Sequence, residues 1–196
     1  MRLPTTAHTS RPWRSHEIAP DFRVEDVWAL PTPGGPDDLA HLVRQFAKGE
    51  QSHTSSPGYR LLWAARWKLG AWFGWDHPDT ALGARERSLR DCLPEDLRRG
   101  ARGPDHRALP LTSVYQTHDE WAAETANGTG HSVLHIGWVL DEAVGYRGQM
   151  AVLVKPNGLI GTVYMAAVKP FRVLVLYPQM LRSIGREWQS TAHLRR

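Results

Sequence analysis

Residues 146–171 read YRGQMAVLVKPNGLIGTVYMAAVKPF, and the fold turns on how this stretch divides. Two apolar runs flank Asn157-Gly158, a dipeptide suited to a tight hairpin turn. The pattern predicts strands over 146–155 and 159–168, with Pro156 at a strand end, where a lost donor costs little. Both runs are apolar on both faces, so each must be covered twice.

The next segment, KPFRVLVLYPQMLRSIGREW (169–188), repeats apolar residues at helical spacing: Phe171, Leu174, Val175, Leu181, Ile184 and Trp188. The stripe keeps phase through Pro178, which predicts one bent helix from Pro170 to about Gln189. Upstream, 111–117 reads as a strand and 120–126 as a second strand or a helical turn. Asn127-Gly128 marks another turn. SVLHIGWVL (132–140) follows as a strand, with Leu134, Ile136 and Trp138 on one face and Val133, His135 and Val139 on the other. These strands make an antiparallel meander.

Earlier still, residues 1–12 read as a flexible lead, and 13–30 supplies a first strand and a turn. LPTPGGPDD (30–38) breaks the chain and starts a helix over 37–48, carried by Leu39, Leu42, Val43 and Phe46. Residues 59–75 form a second, longer helix, apolar over so much of its surface that it must bury two faces or offer one. The offered face would carry Trp63, Trp67 and Trp72 toward a protein partner or a membrane surface. From 76 to 110 the chain is rich in Arg, Asp, Gly and Pro, the composition of a long polar cover or loop insertion.

The fold class is therefore α+β. One domain over 13–196 wraps a curved antiparallel sheet around a long C-terminal helix, with two earlier helices and a polar insertion. That order is the order of a helix-grip fold, in which the space between helix and sheet is often a cavity. YRGQMAVLVKPNGLIGTVYMAAVKPFR, the YPQMLRSIGREW helix, PWRSHEIAPDFRVEDVWALPTPGG and LGAWFGWD together resemble the uncharacterised bacterial DUF2867 family. A more distant similarity is to the helix-grip superfamily of START, polyketide-cyclase and birch-allergen-like proteins. The first resemblance implies no activity; the second implies a small apolar or amphipathic ligand held inside. Expected contacts are His135, Trp138, Tyr146, Met150 and Tyr164 from the sheet and Met180, Ile184 and Trp188 from the helix.

Composition narrows the alternatives. The net charge is +4, and arginine outnumbers lysine by 20 to 4 without any block of like charges, so a nucleic-acid footprint is missing. Cys92 is the single cysteine, which rules out an internal disulfide and a cysteine-rich metal site. The N-terminus lacks the apolar core of a secretory signal, and no run approaches the ~20 apolar residues of a bilayer span. A cytoplasmic location is expected.

Ten histidines invite a metal reading, but His131 and His135 share a strand face with no third ligand at a recognisable interval. No nucleophile elbow or phosphate loop occurs, so neither metal nor cofactor is expected. A cofactor-independent cyclase, dehydratase or lyase remains the catalytic alternative. It would use a paired group among His135, Tyr146, Arg147 and Tyr164.

Overall fold

The computed structural model describes residues 1–48, 87–107 and 109–192, and its centre is a six-stranded antiparallel sheet. The strands are β1 (Arg2–Leu3), β2 (Arg23–Ala29), β3 (Thr112–Gln116), β4 (Glu120–Asn127), β5 (Gly130–Asp141) and β6 (Gly145–Pro156), in the spatial order β1-β2-β6-β5-β4-β3. The helices are α1 (Thr6–Thr9), α2 (Arg14–Ile18), α3 (Leu39–Lys48), α4 (Glu95–Arg99), α5 (Gly158–Phe171) and α6 (Tyr177–Ala192). A π-helical segment, Arg172–Leu176, joins α5 to α6, so helix runs on from Gly158 to Ala192.

Residues 158–168 are thus helix, not the second strand of a hairpin. The reason is competition for β6. One edge of that strand pairs with β5 over its whole length, and the other is taken by β2, from Arg23 opposite Val154 to Ala29 opposite Gln149. No edge is left for a following strand. An apolar segment with no ladder to join satisfies its own backbone by coiling. Gly158 makes the change of direction at φ +61°, a left-handed conformation that favours glycine.

The helix begins twelve residues earlier than its apolar stripe predicts. Pro170 and Pro178 both lie within the helical run, and the π turn falls between them. Tyr177 N–H donates to Arg172 O, five residues back, which widens the helix where proline rings would crowd a regular turn. Gly161 sits where a Cβ would fall 2.2 Å from the carbonyl oxygen of Thr129 in the β4–β5 turn. Backbone cannot yield there as a side-chain tip can. Gly161→Ala is expected to cost about 1–3 kcal/mol, read as a melting temperature several degrees lower by circular dichroism.

Both sheet faces are covered, as two-sided apolar strands demand. One face packs against α3, α6 and the π segment through Trp28, Trp121, Ile136, Trp138, Met150, Ile184 and Trp188. The other packs beneath α2, α4 and the Leu89–Cys92 turn through Val27, Val114, Tyr115, Val133, Ala151 and Leu153. The facing of β5 follows the alternation read from sequence. Residues 1–12 are not a free lead: β1 extends the sheet beside β2, and His8 of α1 is fully buried.

The β3 edge is closed by side chains. Arg90 donates to Val114 O at 2.7 Å, Arg102 donates to Ser113 O at 3.0 Å, and Asp105 accepts from Ser113 N–H at 2.7 Å. Occupied edge groups cannot template pairing with another chain. These residues belong to the 76–110 segment, so its described part is packed against the sheet. The aromatic helix expected over 59–75, with Trp63, Trp67 and Trp72, lies outside the described residues.

Candidate functional site

Six of the eight expected ligand-binding residues come together on the helix-covered face. Trp138, Met150, Ile184 and Trp188 are buried in one cluster, and Tyr146 and Met180 pack half-buried at its margin. The two indoles stand 6.0 Å apart, and their N–H groups donate to Gly35 O and Pro33 O, each at 2.8 Å. Spending those donors on the 31–35 loop makes this end of the face ordinary core. His135 lies on the opposite face, and Tyr164 sits half-buried on α5 outside the cluster.

The other end of the same face is different. Leu134 and Val152 are directly paired on the two central strands, yet both are only half-buried, while Ile136 and Met150 one step along are fully buried. Asp26, opposite Val152 on β2, points to the same side. Its carboxylate accepts from Arg172 at 3.0 Å, from Arg2 at 3.4 Å and from the Tyr177 hydroxyl at 3.5 Å. Burial holds the Tyr177 hydroxyl well above the ordinary phenol range; the Arg172 charge opposes this, and the charge and hydrogen bond of Asp26 add to it. Val173, partly buried, packs against the same core cluster. The arrangement is an apolar strip with an ion pair at its rim.

Sequence carried a signal for that ion pair. Asp26 is an acid two residues from Trp28 in a strand, and Arg172 is a lone cation inside an apolar run. Each is out of character for its surroundings, which is what a buried pair looks like before its partner is known.

The opposite face holds a polar network centred on β4 and β5. Glu120 Oε2 accepts from His135 Nε2–H at 2.9 Å and from the Tyr115 hydroxyl at 2.8 Å, while Oε1 accepts from Arg14 N–H at 2.9 Å. His135 Nδ1 lies 3.2 Å from His8 Nε2. Two steps along the same face, Glu124 accepts from His131 at 2.8 Å, from Leu89 N–H at 3.0 Å and from the Ser88 hydroxyl. The two His–Glu pairs repeat because Glu120 and Glu124, like His131 and His135, stand four apart on neighbouring strands and so share one face.

Burial alone would raise the pKa of Glu120, but the hydrogen bond and charge of His135, with those from Arg14 and Tyr115, outweigh it and set it below the usual range. Glu124 is likewise lowered against burial by His131, Ser88 and the Leu89 amide. Burial, then the Glu120 charge, pushes Tyr115 well up. For His8, burial and the neighbouring His135 and His16 lower the pKa to about 3.

The segment covering this network leaves polar atoms without a protein partner: His8 Nδ1, Trp13 Nε1 and Ser15 Oγ. A small apolar pocket beside it, lined by Ser15, Ile18, Tyr115, Ala122 and Val133 among others, has room for about one water. The network residues are too enclosed to meet a substrate in this conformation: His8 and His135 are fully buried and Glu120 is 3% exposed. Among the described residues no group of three His, Cys, Asp or Glu is placed to hold a metal ion, and no helix is long and apolar enough to cross a membrane.

The architecture defines the class: an α+β protein with a six-stranded antiparallel sheet covered by a long C-terminal helix. More particularly, the chain belongs to the DUF2867 family, described as "Protein of unknown function (DUF2867)", which matches residues 18–179. That span holds Asp26, Arg172 and Tyr177 with both His–Glu pairs; His8 and Trp13 precede it. No curated protein and no solved structure matches the chain.

Proposed function

We propose that this protein binds a small apolar or amphipathic molecule between its sheet and its C-terminal helix, in the manner of a helix-grip fold. Strand order supports the fold reading. The first long strand, β2, closes against the last, β6, after α3 and the meander, and the terminal helix lies across the sheet. The half-burial of Leu134 and Val152 carries the functional reading. Apolar side chains on central strands beneath a helix are ordinarily sealed, at about 1.5–3 kcal/mol for each full burial. Leaving two neighbours open forgoes part of that gain and creates an apolar surface for a guest.

Native mass spectrometry of gently purified protein is expected to show a bound small molecule, released on denaturation. Leu134→Trp and Val152→Trp, which fill the strip, are expected to weaken binding of the neutral dye Nile red at least tenfold while leaving the far-ultraviolet spectrum unchanged. An absence of both adduct and dye binding in the wild-type protein would overturn the proposal. The catalytic alternative is favoured by one observation, the inward-facing His135 with its Glu120 and His8 neighbours. That group faces the other side of the sheet, so a reaction there would need the covering N-terminal segment to move.

A further inference from the structure

We infer that the guest carries a carboxylate, with Arg172 as its anchor; the inference rests on the ligand-binding reading above. Arg172 is set in apolar surroundings with 13% of its side chain exposed. A guanidinium presents five N–H donors. Among the described partners, one terminal nitrogen donates to Asp26 Oδ2, the other reaches only the Met165 sulfur at 3.9 Å, and Nε is buried with no partner. Much of its donor capacity is unspent, which is costly for a buried cation.

Charge points the same way. The rim holds Arg2 and Arg172 against the single carboxylate of Asp26, while Glu25 is shared by Arg23 at 3.4 Å and Lys169 at 3.6 Å. Cations therefore outnumber carboxylates at the rim, which favours an anionic guest. Planar carboxylate also matches the planar fork of arginine. Position completes the argument. Arg172 reaches Asp26, Asp26 stands opposite Val152, and Val152 is paired with Leu134, so the guanidinium adjoins the open apolar strip. A head at Arg172 and an apolar body over Leu134 and Val152 describe a fatty-acid-like or aryl carboxylate.

The test compares a fluorescent polyene fatty acid, cis-parinaric acid, with its methyl ester, on intact protein at neutral pH. The acid is expected to bind at least tenfold more tightly than the ester. Arg172→Met should remove that preference by weakening the acid and leaving the ester unchanged. Because Arg172→Met strands the buried Asp26, a second variant guards against misfolding: Asp26→Asn releases Arg172 and should strengthen acid binding several-fold without affecting the ester. Equal affinity for acid and ester, or an Asp26→Asn variant with no change for the acid, overturns the carboxylate assignment while leaving the apolar site intact. Failure of acid, ester and Nile red alike overturns the site itself.

Discussion

Lowering the pH from 7 to 5 is expected to cost the folded protein about 2 kcal/mol through His8 alone. The side chain is fully buried against His135 and His16, and its pKa falls from 6.5 to about 3 on folding. Above pH 6.5 the group is neutral in both states, and its contribution is fully present. Between 6.5 and 3 the unfolded chain takes up a proton that the native state refuses, so stability falls by about 1.4 kcal/mol per pH unit. Below 4.5 the lowered carboxyls of Glu120 and Glu124 add to the loss, because the unfolded chain protonates them first.

Urea unfolding followed by circular dichroism at half-unit steps from pH 7 to 4 would read this directly. His8→Gln should be less stable at pH 7 yet show a flatter profile between 6.5 and 5. An identical slope in the variant would mean that the acid sensitivity lies elsewhere. The physical site of the loss is the N-terminal cover, where His8 Nδ1, Trp13 Nε1 and Ser15 Oγ already lack partners. Hydrogen exchange in residues 1–18 should therefore rise before exchange in β5 and β6.

How much of this could be read from the chain depends on the range of the forces involved. Alternation along β5 assigns Leu134, Ile136 and Trp138 to one face and His135 to the other without knowledge of any partner, because a strand's period is local. The same holds for α3, whose stripe and breaker are adjacent in sequence. What the local pattern does not carry is decided at a distance. Residues 159–168 have the residue types of a strand, and they are helix because β2, over a hundred residues earlier, occupies the free edge of β6. TTAH in the lead has no periodicity at all, yet its histidine is buried against a residue 127 positions away. Glu120 and Glu124 do carry a signal in the sequence. Two acids and two histidines at equal spacing declare the network once 120–126 is a strand, which its residue types alone do not decide against a helical turn. His135 cannot line the same surface as Trp138, because odd and even positions of β5 face opposite sides of the sheet.

Removing the Glu120 carboxylate is expected to be among the most damaging single changes in the sheet. Glu120→Ala leaves three donors unpartnered in one buried spot, from His135, Tyr115 and the Arg14 amide. Loss of one member of a buried pair costs about 3–5 kcal/mol, which for a chain of this size corresponds to a melting temperature lower by about 6–20 °C. Glu120→Gln should cost less, about 1–3 kcal/mol. Its single carbonyl oxygen can still accept from His135 and Tyr115, but its amide then faces the Arg14 N–H donor to donor. The graded series, wild type above Gln above Ala, distinguishes hydrogen bonding from simple cavity formation. A double-mutant cycle with His135→Ala completes the test. If the two residues act through their contact, the double variant should recover part of the loss, because no charge or acceptor is then left waiting for its partner. Strict additivity would mean that Glu120 acts chiefly through Tyr115 and Arg14, and that the His–Glu pair contributes little to holding the N-terminal segment on the sheet.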